Sequence, residues 1–252
     1  MSRIVLILLI FNCLSCFVAR RFIHRGRMCL YDFCPDGSQF PSEANILIAG
    51  MNNQPYEAYR ELSSVNSDHE IFAEYSMLGW NAKNSARQLD KIHFAPTTRV
   101  IVYTISIGDK IARYMNRCNY IYSINPCPNP CVLKTSLQKK LPPVAIILRM
   151  ITFLFGWIAV IPLPIGDTLI SLALFSDQLW EASVNRDTPP MNKGITSIIF
   201  SAQDEFIDQS NVKNFYKRAP MPEVIINTKH GRTTDLAWSV EYNNALEKLK
   251  GR

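Results

Sequence analysis

The chain has 252 residues, of which 48% are hydrophobic and 19% charged, so it can bury the core of one domain and is not a disordered chain. Its formal charge of +6 is uneven, because residues 1–30 contain five arginines and no acidic residue, which leaves +1 for the other 222 residues. Because these 222 residues are nearly neutral, nucleic acid is not expected as a partner.

The N-terminal segment is apolar. Residues 4–18 are mostly apolar and follow Arg3. This run is shorter than the roughly 20 residues of a membrane-spanning helix and is typical of the apolar region of a signal peptide. We therefore predict that residues 1–19 are a signal peptide or membrane anchor and that the protein is secreted or membrane-anchored. A buried N-terminal helix is the alternative.

From about residue 40, short apolar runs alternate with amphipathic stretches, which indicates βα units around a parallel sheet. The predicted strands are residues 44–49, 70–75, 99–104, 119–124, 195–201 and 223–227. The predicted helices are residues 54–65, 81–92, 109–116, 209–217 and 233–250. Asn81 is expected to cap the second of these helices. The fold class is therefore α/β, with a mostly parallel central sheet flanked by helices.

The segment after the fourth predicted strand breaks this alternation. Residues 144–166 are very apolar, but Arg149, Pro162 and Pro164 interrupt them. The uninterrupted stretch between Arg149 and Pro162 has twelve residues and is too short to span a membrane. Residues 167–180 form a second predicted helix, and the prolines are expected to mark the bend between the two helices.

The sequence predicts no cofactor and no metal. It contains no GxxxxGK[ST], GxGxxG or HExxH motif. Of its seven cysteines, Cys29 and Cys34, and Cys127 and Cys131, are close enough to form local disulfides in an oxidising compartment. Neither pair has the two-residue spacing common in zinc sites, and free buried thiols are the alternative.

A serine lies between the third predicted strand and the helix that follows it. In the run Thr104-Ile105-Ser106-Ile107-Gly108, small residues stand two positions before and two positions after Ser106. A strand that turns sharply into a helix strains its middle residue and requires small neighbours at those positions. The turn would expose the serine oxygen at the start of a helix, where the amide of Ile107 can stabilise an oxyanion. A serine in an ordinary strand–helix loop is the alternative.

With this motif, residues 40–250 resemble the α/β-hydrolase superfamily of serine esterases and lipases. The run around Ser106 is similar to the glycine-x-serine-x-glycine turn of the family, with Thr104 in place of the first glycine. The turn Ala202-Gln203-Asp204 is similar to the one that holds the family's acid, and His230 follows the last strand, where the family has its histidine.

The resemblance implies a serine hydrolase that cleaves carboxylic esters or related acyl compounds through an acyl-enzyme. Ser106 would be the nucleophile, His230 the base and Asp204 the acid, with Asp208 as a competing acid that could instead cap the next helix. The oxyanion hole would use the amides of Ile107 and Met51.

The resemblance also identifies residues 131–192 as a helical lid inserted after the family's sixth strand, with residues 40–130 and 193–252 as the core. Its apolar side chains would suit a lipophilic acyl group, although they could instead pack on one another or contact a membrane surface. These side chains are Phe153, Phe155, Trp157, Leu163, Leu169 and Leu172.

Two other functions stay open. The chain could keep the fold but act as an inactive binding or scaffold protein, with Thr104 and Asp109 as signs of lost selection for catalysis. It could also be a thioesterase or peptidase, because these activities share the acyl-enzyme route. In the active cases the expected partner is a small acyl or ester substrate, lipophilic in character, with a membrane surface as a further possible partner.

Overall fold

A computed structural model describes residues 30–33, 42–48, 50–51, 70–73, 81–92, 94–155, 164–190, 195–216, 222–230 and 236–251. The strands are β1 (Leu30–Phe33), β2 (Glu43–Ile48), β3 (Glu70–Ala73), β4 (Arg99–Ile105), β5 (Tyr120–Ile124), β6 (Ile195–Gln203) and β7 (Glu223–Lys229). The helices are α1 (Ala82–Leu89), α2 (Gly108–Tyr114), α3 (Thr135–Phe155), α4 (Pro164–Ser183), α5 (Gln209–Phe215) and α6 (Leu236–Lys250).

The strands form one sheet in the order β1-β3-β2-β4-β5-β6-β7. Every neighbouring pair is parallel except β1 with β3. The predicted α/β class with a mostly parallel central sheet is confirmed. The sequence pattern did not predict β1, a four-residue antiparallel strand at the edge of the sheet.

The central strand β4 has β-branched or aromatic residues at all but its first position, and only that residue, Arg99, is exposed. Both faces of the sheet are covered, as expected for parallel strands. One face packs against α1 and α2 through residues such as Val102 and Ile111, and the other packs against α6 through Tyr103 and Leu246.

The described helices follow the predicted order. Asn81 caps α1, because its side-chain oxygen accepts hydrogen bonds from the amides of Lys83 and Asn84. The predicted helix at residues 54–65 lies outside the described residues, as does the predicted leader at residues 1–19.

Two long helices, α3 and α4, follow β5 and precede β6, and they pack on each other. Helix α3 begins nine residues before the apolar stretch predicted from the sequence and contains Pro142 and Pro143. Pro164 is the first residue of α4, a position at which a helix tolerates proline. Pro162 lies outside the described residues. Leu172, half-buried, is the one predicted lid side chain among the described side chains. None of the helices in this described part of the chain is both long and apolar enough to cross a membrane.

The cysteines among the described residues are free thiols. They are Cys118, Cys127 and Cys131, so the disulfide considered between Cys127 and Cys131 is not formed. The other close pair, Cys29 and Cys34, lies outside the described residues.

Candidate active site

The parallel register brings three strand ends together. Ile48 of β2 pairs with Thr104 of β4, and Thr104 pairs with Ser123 of β5. The segments that follow these strands therefore start at the same edge of the sheet, where parallel sheets usually bind ligands. The buried hydroxyl of Thr104 donates a hydrogen bond to the hydroxyl of Ser123 over 2.8 Å. Thr104, which stands at the first glycine position of the glycine-x-serine-x-glycine pattern, therefore has a polar partner.

Ser106 occupies the turn from β4 into α2 with a backbone φ of 52°. A non-glycine residue with positive φ is strained and requires support from its surroundings. The Ser106 amide donates to the carbonyl of Ile124 over 2.8 Å, and the Ser106 carbonyl accepts from the amide of Cys127 over 2.9 Å. Backbone bonds to the neighbouring β5 segment therefore hold Ser106 in this conformation.

The loop after β2 approaches this turn at Gly50. A Cβ atom on Gly50 would lie 3.3 Å from Cγ2 of Ile105 and 3.6 Å from Cβ of Ser106. Only glycine allows this approach without displacing the neighbouring side chains. Among the described residues, none accepts a backbone hydrogen bond from the amide of Met51 or Ile107, the two predicted oxyanion donors.

Asp204 and His230 form a direct pair. His230 Nδ1 lies 2.6 Å from Asp204 Oδ2, and the Asp204 side chain is 2% exposed. The other oxygen, Oδ1, accepts from the amides of Phe206 and Ile207 over 2.7 and 2.8 Å. An ionised carboxylate only accepts hydrogen bonds, so a neutral imidazole paired with it has its proton on Nδ1 and the lone pair on Nε2.

The competing acid has a different partner. Asp208 caps α5, where its Oδ1 accepts from the amides of Ser210 and Asn211 over 2.9 and 3.2 Å. The hydrogen bond from the Ser210 hydroxyl lowers the pKa of Asp208. Of the two aspartates, the structure therefore brings Asp204 to His230 and uses Asp208 as a helix cap.

Two further residues of the acid turn contact His230. Glu205 Oε2 accepts a hydrogen bond from the His230 amide over 3.2 Å. The ring of Phe206 lies edge-on to the imidazole, with 5.2 Å between the ring centroids. Sequence reasoning missed both residues, and their position directly after Asp204 is the signal that could have identified them.

Ser106 and His230 line one cavity of about 190 Å³. The rest of its lining is apolar apart from the backbone: Gly50, Met51, Ile105, Cys127, Leu133, Leu141, Leu179, Ala182, Phe206 and Ile207. Burial raises the pKa of the Cys127 thiol to about 12, so the thiol stays neutral at pH 7. The cavity therefore offers one hydroxyl and one imidazole in otherwise apolar surroundings.

The helix that follows Ser106 contains buried charges. Asp109 Oδ2 pairs with Nε of Arg113 over 3.0 Å and accepts from the hydroxyl of Tyr216. Burial and the neighbouring Asp109 raise the pKa of Tyr216, which stays protonated and donates to the carboxylate. These bonds join α2 to the end of α5, and they account for an aspartate directly after the turn.

These features define an α/β protein in which a strained serine and a histidine paired with a buried carboxylate line one cavity at the carboxyl edge of the sheet. No protein-family model matches the sequence, and a comparison with curated protein sequences gives no match. The chain has the α/β-hydrolase fold, as the comparison with solved structures shows.

Three solved structures illustrate the likeness. A hydrolase from Oleispira antarctica is similar with a TM-score of 0.59 and 13% identity, over 89% of this chain and 93% of that one. A thermophilic esterase from Thermogutta terrifontis has a TM-score of 0.56 and 12% identity, over 88% and 93% of the two chains. An epoxide hydrolase from Bacillus megaterium has a TM-score of 0.57 and 11% identity, over 90% and 98%.

Proposed function

We propose that the protein is a serine hydrolase that cleaves carboxylic esters through an acyl-enzyme. The observation that carries this proposal is the Asp204–His230 pair, whose histidine lines the same cavity as the strained Ser106. A serine hydroxyl is a weak nucleophile until a base removes its proton, and an imidazole with a lone pair on Nε2 can act as that base. The similar solved structures include an esterase, which supports the same reaction class.

The proposed reaction has two halves. Ser106 Oγ attacks the ester carbonyl carbon while His230 Nε2 takes the hydroxyl proton, and the amides of Ile107 and Met51 donate to the developing oxyanion. His230 then returns the proton to the leaving alcohol as its C–O bond breaks, which leaves the acyl group on Ser106. Water, deprotonated by the same imidazole, releases the carboxylic acid and restores the serine. Asp204 orients the imidazole and stabilises its cation throughout.

Ser106→Ala is expected to abolish labelling by a fluorophosphonate probe, because the probe reacts only with an activated serine. The measurement compares labelling of wild type, Ser106→Ala and Ser136→Ala by in-gel fluorescence. Ser136 is an exposed serine of α3, and its substitution is expected to leave labelling unchanged. Equal labelling of wild type and Ser106→Ala would refute the proposal.

The structure weakens the argument for an inactive scaffold protein. Thr104 and Asp109 depart from the family pattern, but Thr104 pairs with Ser123, and Asp109 pairs with Arg113 and Tyr216. Both departures have local partners, and Ser106 keeps a positive φ beside them. Thioester and peptide substrates share the acyl-enzyme route, so an ester and its matched thioester should be assayed side by side.

We also propose that an anionic lipid surface contacts α3 beside the cavity. Leu141 of α3 lines the cavity, while Val144, Ile147 and Met150 are 45%, 57% and 59% exposed. Large apolar side chains exposed together on one helix often mark a contact surface. The sequence of α3 contains two lysines, one arginine and no acidic residue, which favours anionic headgroups.

Ile147→Glu is expected to lower binding to vesicles of phosphatidylglycerol and phosphatidylcholine by about tenfold. It removes an apolar side chain that the lipid would bury and adds a negative charge that the anionic headgroups repel. Cosedimentation of the full chain with vesicles measures the bound fraction. Val240→Glu is the control, since Val240 is 54% exposed on α6. If both variants bind like wild type, α3 is not the contact surface.

A further inference from the structure

The helices between β5 and β6 contribute one apolar wall of the cavity. Leu141 comes from α3, and Leu179 and Ala182 come from α4. The side chains of Leu179 and Ala182 are buried, at 3% and 5% exposure. Cys127, which is 2% exposed, follows β5 and lines the same cavity as a neutral thiol.

We infer that the site takes a short, uncharged acyl group, an inference that rests on the proposed ester hydrolysis. Pockets for drug-sized ligands measure roughly 300–1,000 Å³, and the 190 Å³ cavity is smaller. Apart from His230, the cavity lining has no side chain that carries a charge, so a charged acyl group would lose its hydration without gaining a partner.

The part of this wall that Leu179 and Ala182 form is held against the helix that follows Ser106. Lys110 of α2 is fully buried, and its Nζ lies 2.9 Å from Glu181 Oε2 and 3.1 Å from the Glu181 carbonyl. Glu181 lies in α4 between the two wall residues Leu179 and Ala182. Asn81 and Asn185 donate to the two carboxylate oxygens of Glu181 over 3.2 and 2.9 Å.

These bonds determine how the cavity can respond to a longer substrate. Moving the wall outward would separate a buried ammonium from a buried carboxylate, which is very unfavourable in surroundings that water does not reach. The wall therefore stays in place, and a long acyl chain cannot make room for itself by displacing Leu179 or Ala182. Chain length is then selected by the distance from Ser106 to this wall.

The test is a series of p-nitrophenyl esters from acetate to dodecanoate, assayed with the full chain. Wild type is expected to have its highest kcat/KM at about two to six acyl carbons, with at least a tenfold fall by decanoate, because the cavity is smaller than pockets for drug-sized ligands. Leu179→Ala removes part of the wall and is expected to raise the octanoate-to-acetate ratio of kcat/KM about tenfold. Ala182→Leu fills the cavity and is expected to lower the butyrate-to-acetate ratio.

Leu246→Ala is the matched control, because Leu246 is 2% exposed and packs in the core on the other face of the sheet. It removes the same atoms and is expected to leave the chain-length profile of wild type. A wild-type preference for decanoate, or unchanged ratios in both wall variants with native circular dichroism, would overturn the short-acyl inference alone. Absence of both ester turnover and fluorophosphonate labelling would instead overturn the proposed function.

Discussion

Asp204→Asn is expected to lower kcat for ester hydrolysis by about 10⁴-fold, the size of effect seen when the acid of such a triad becomes an amide. The amides of Phe206 and Ile207 both donate to Asp204 Oδ1, so an asparagine there must keep its oxygen at that position. Its NH₂ group then faces His230 Nδ1 and donates to it. The imidazole proton moves to Nε2, and His230 can no longer accept the proton of Ser106.

The matched control is Asp208→Asn, four residues further along the chain. Asparagine caps helices about as well as aspartate, so α5 keeps its cap and activity should stay within about twofold of wild type. Steady-state kinetics with p-nitrophenyl butyrate measures both variants, and circular dichroism confirms that both are folded. Equal losses in the two variants, or full activity in Asp204→Asn, would exclude Asp204 as the orienting acid.

The sheet could be predicted from the sequence because four of its parallel strands, β2, β4, β5 and β6, are mostly buried on both faces. Runs such as residues 100–103 are continuous apolar segments that end at small or polar residues, and these are signals that a single sequence contains. Strand β1 has no such signal, because four residues at a sheet edge need no long apolar run. Its pairing with β3 depends on residues 37 to 43 positions away in the chain.

The candidate site was predicted through the order of Ser106, Asp204 and His230 along the chain. Their placement at the ends of β4, β6 and β7 follows from the sheet topology, which a family resemblance supplies and composition does not. The position of Glu205 and Phe206 directly after Asp204 indicates that they lie near His230, but the hydrogen bond and the ring contact depend on side-chain directions at a turn.

The buried charged residues of α2 also show contacts that are difficult to predict from the sequence. Asp109, Lys110 and Arg113 are each buried, at 0%, 0% and 1% exposure, although charged residues of a short helix normally face solvent. Their partners Tyr216 and Glu181 lie more than 70 positions away in sequence. The i,i+4 spacing of Asp109 and Arg113 indicates their own pair, but only tertiary structure joins α2 to Tyr216 and Glu181.

Lys110→Met is expected to destabilise the fold by about 3–5 kcal/mol, because it leaves Glu181 as a buried carboxylate without its cation. The Glu181 side chain is 5% exposed, and the Lys110 side chain is fully buried. For a chain of this size, each kcal/mol corresponds to roughly 2–4 °C, so Tm should fall by about 10 °C. The double variant Lys110→Met/Glu181→Leu is expected to recover much of this loss, since it removes the unpaired charge as well.

Lys213→Met provides the comparison on the surface. Lys213 pairs with Glu223 over 2.7 Å, but the two side chains are 48% and 42% exposed. Exposed pairs contribute about 0–1 kcal/mol, so the Tm of Lys213→Met should stay within about 3 °C of wild type. Thermal unfolding followed by circular dichroism measures all three variants. Similar small shifts in Lys110→Met and Lys213→Met would mean that water or another group compensates Glu181, and that the ion pair does not fix the wall formed by Leu179 and Ala182.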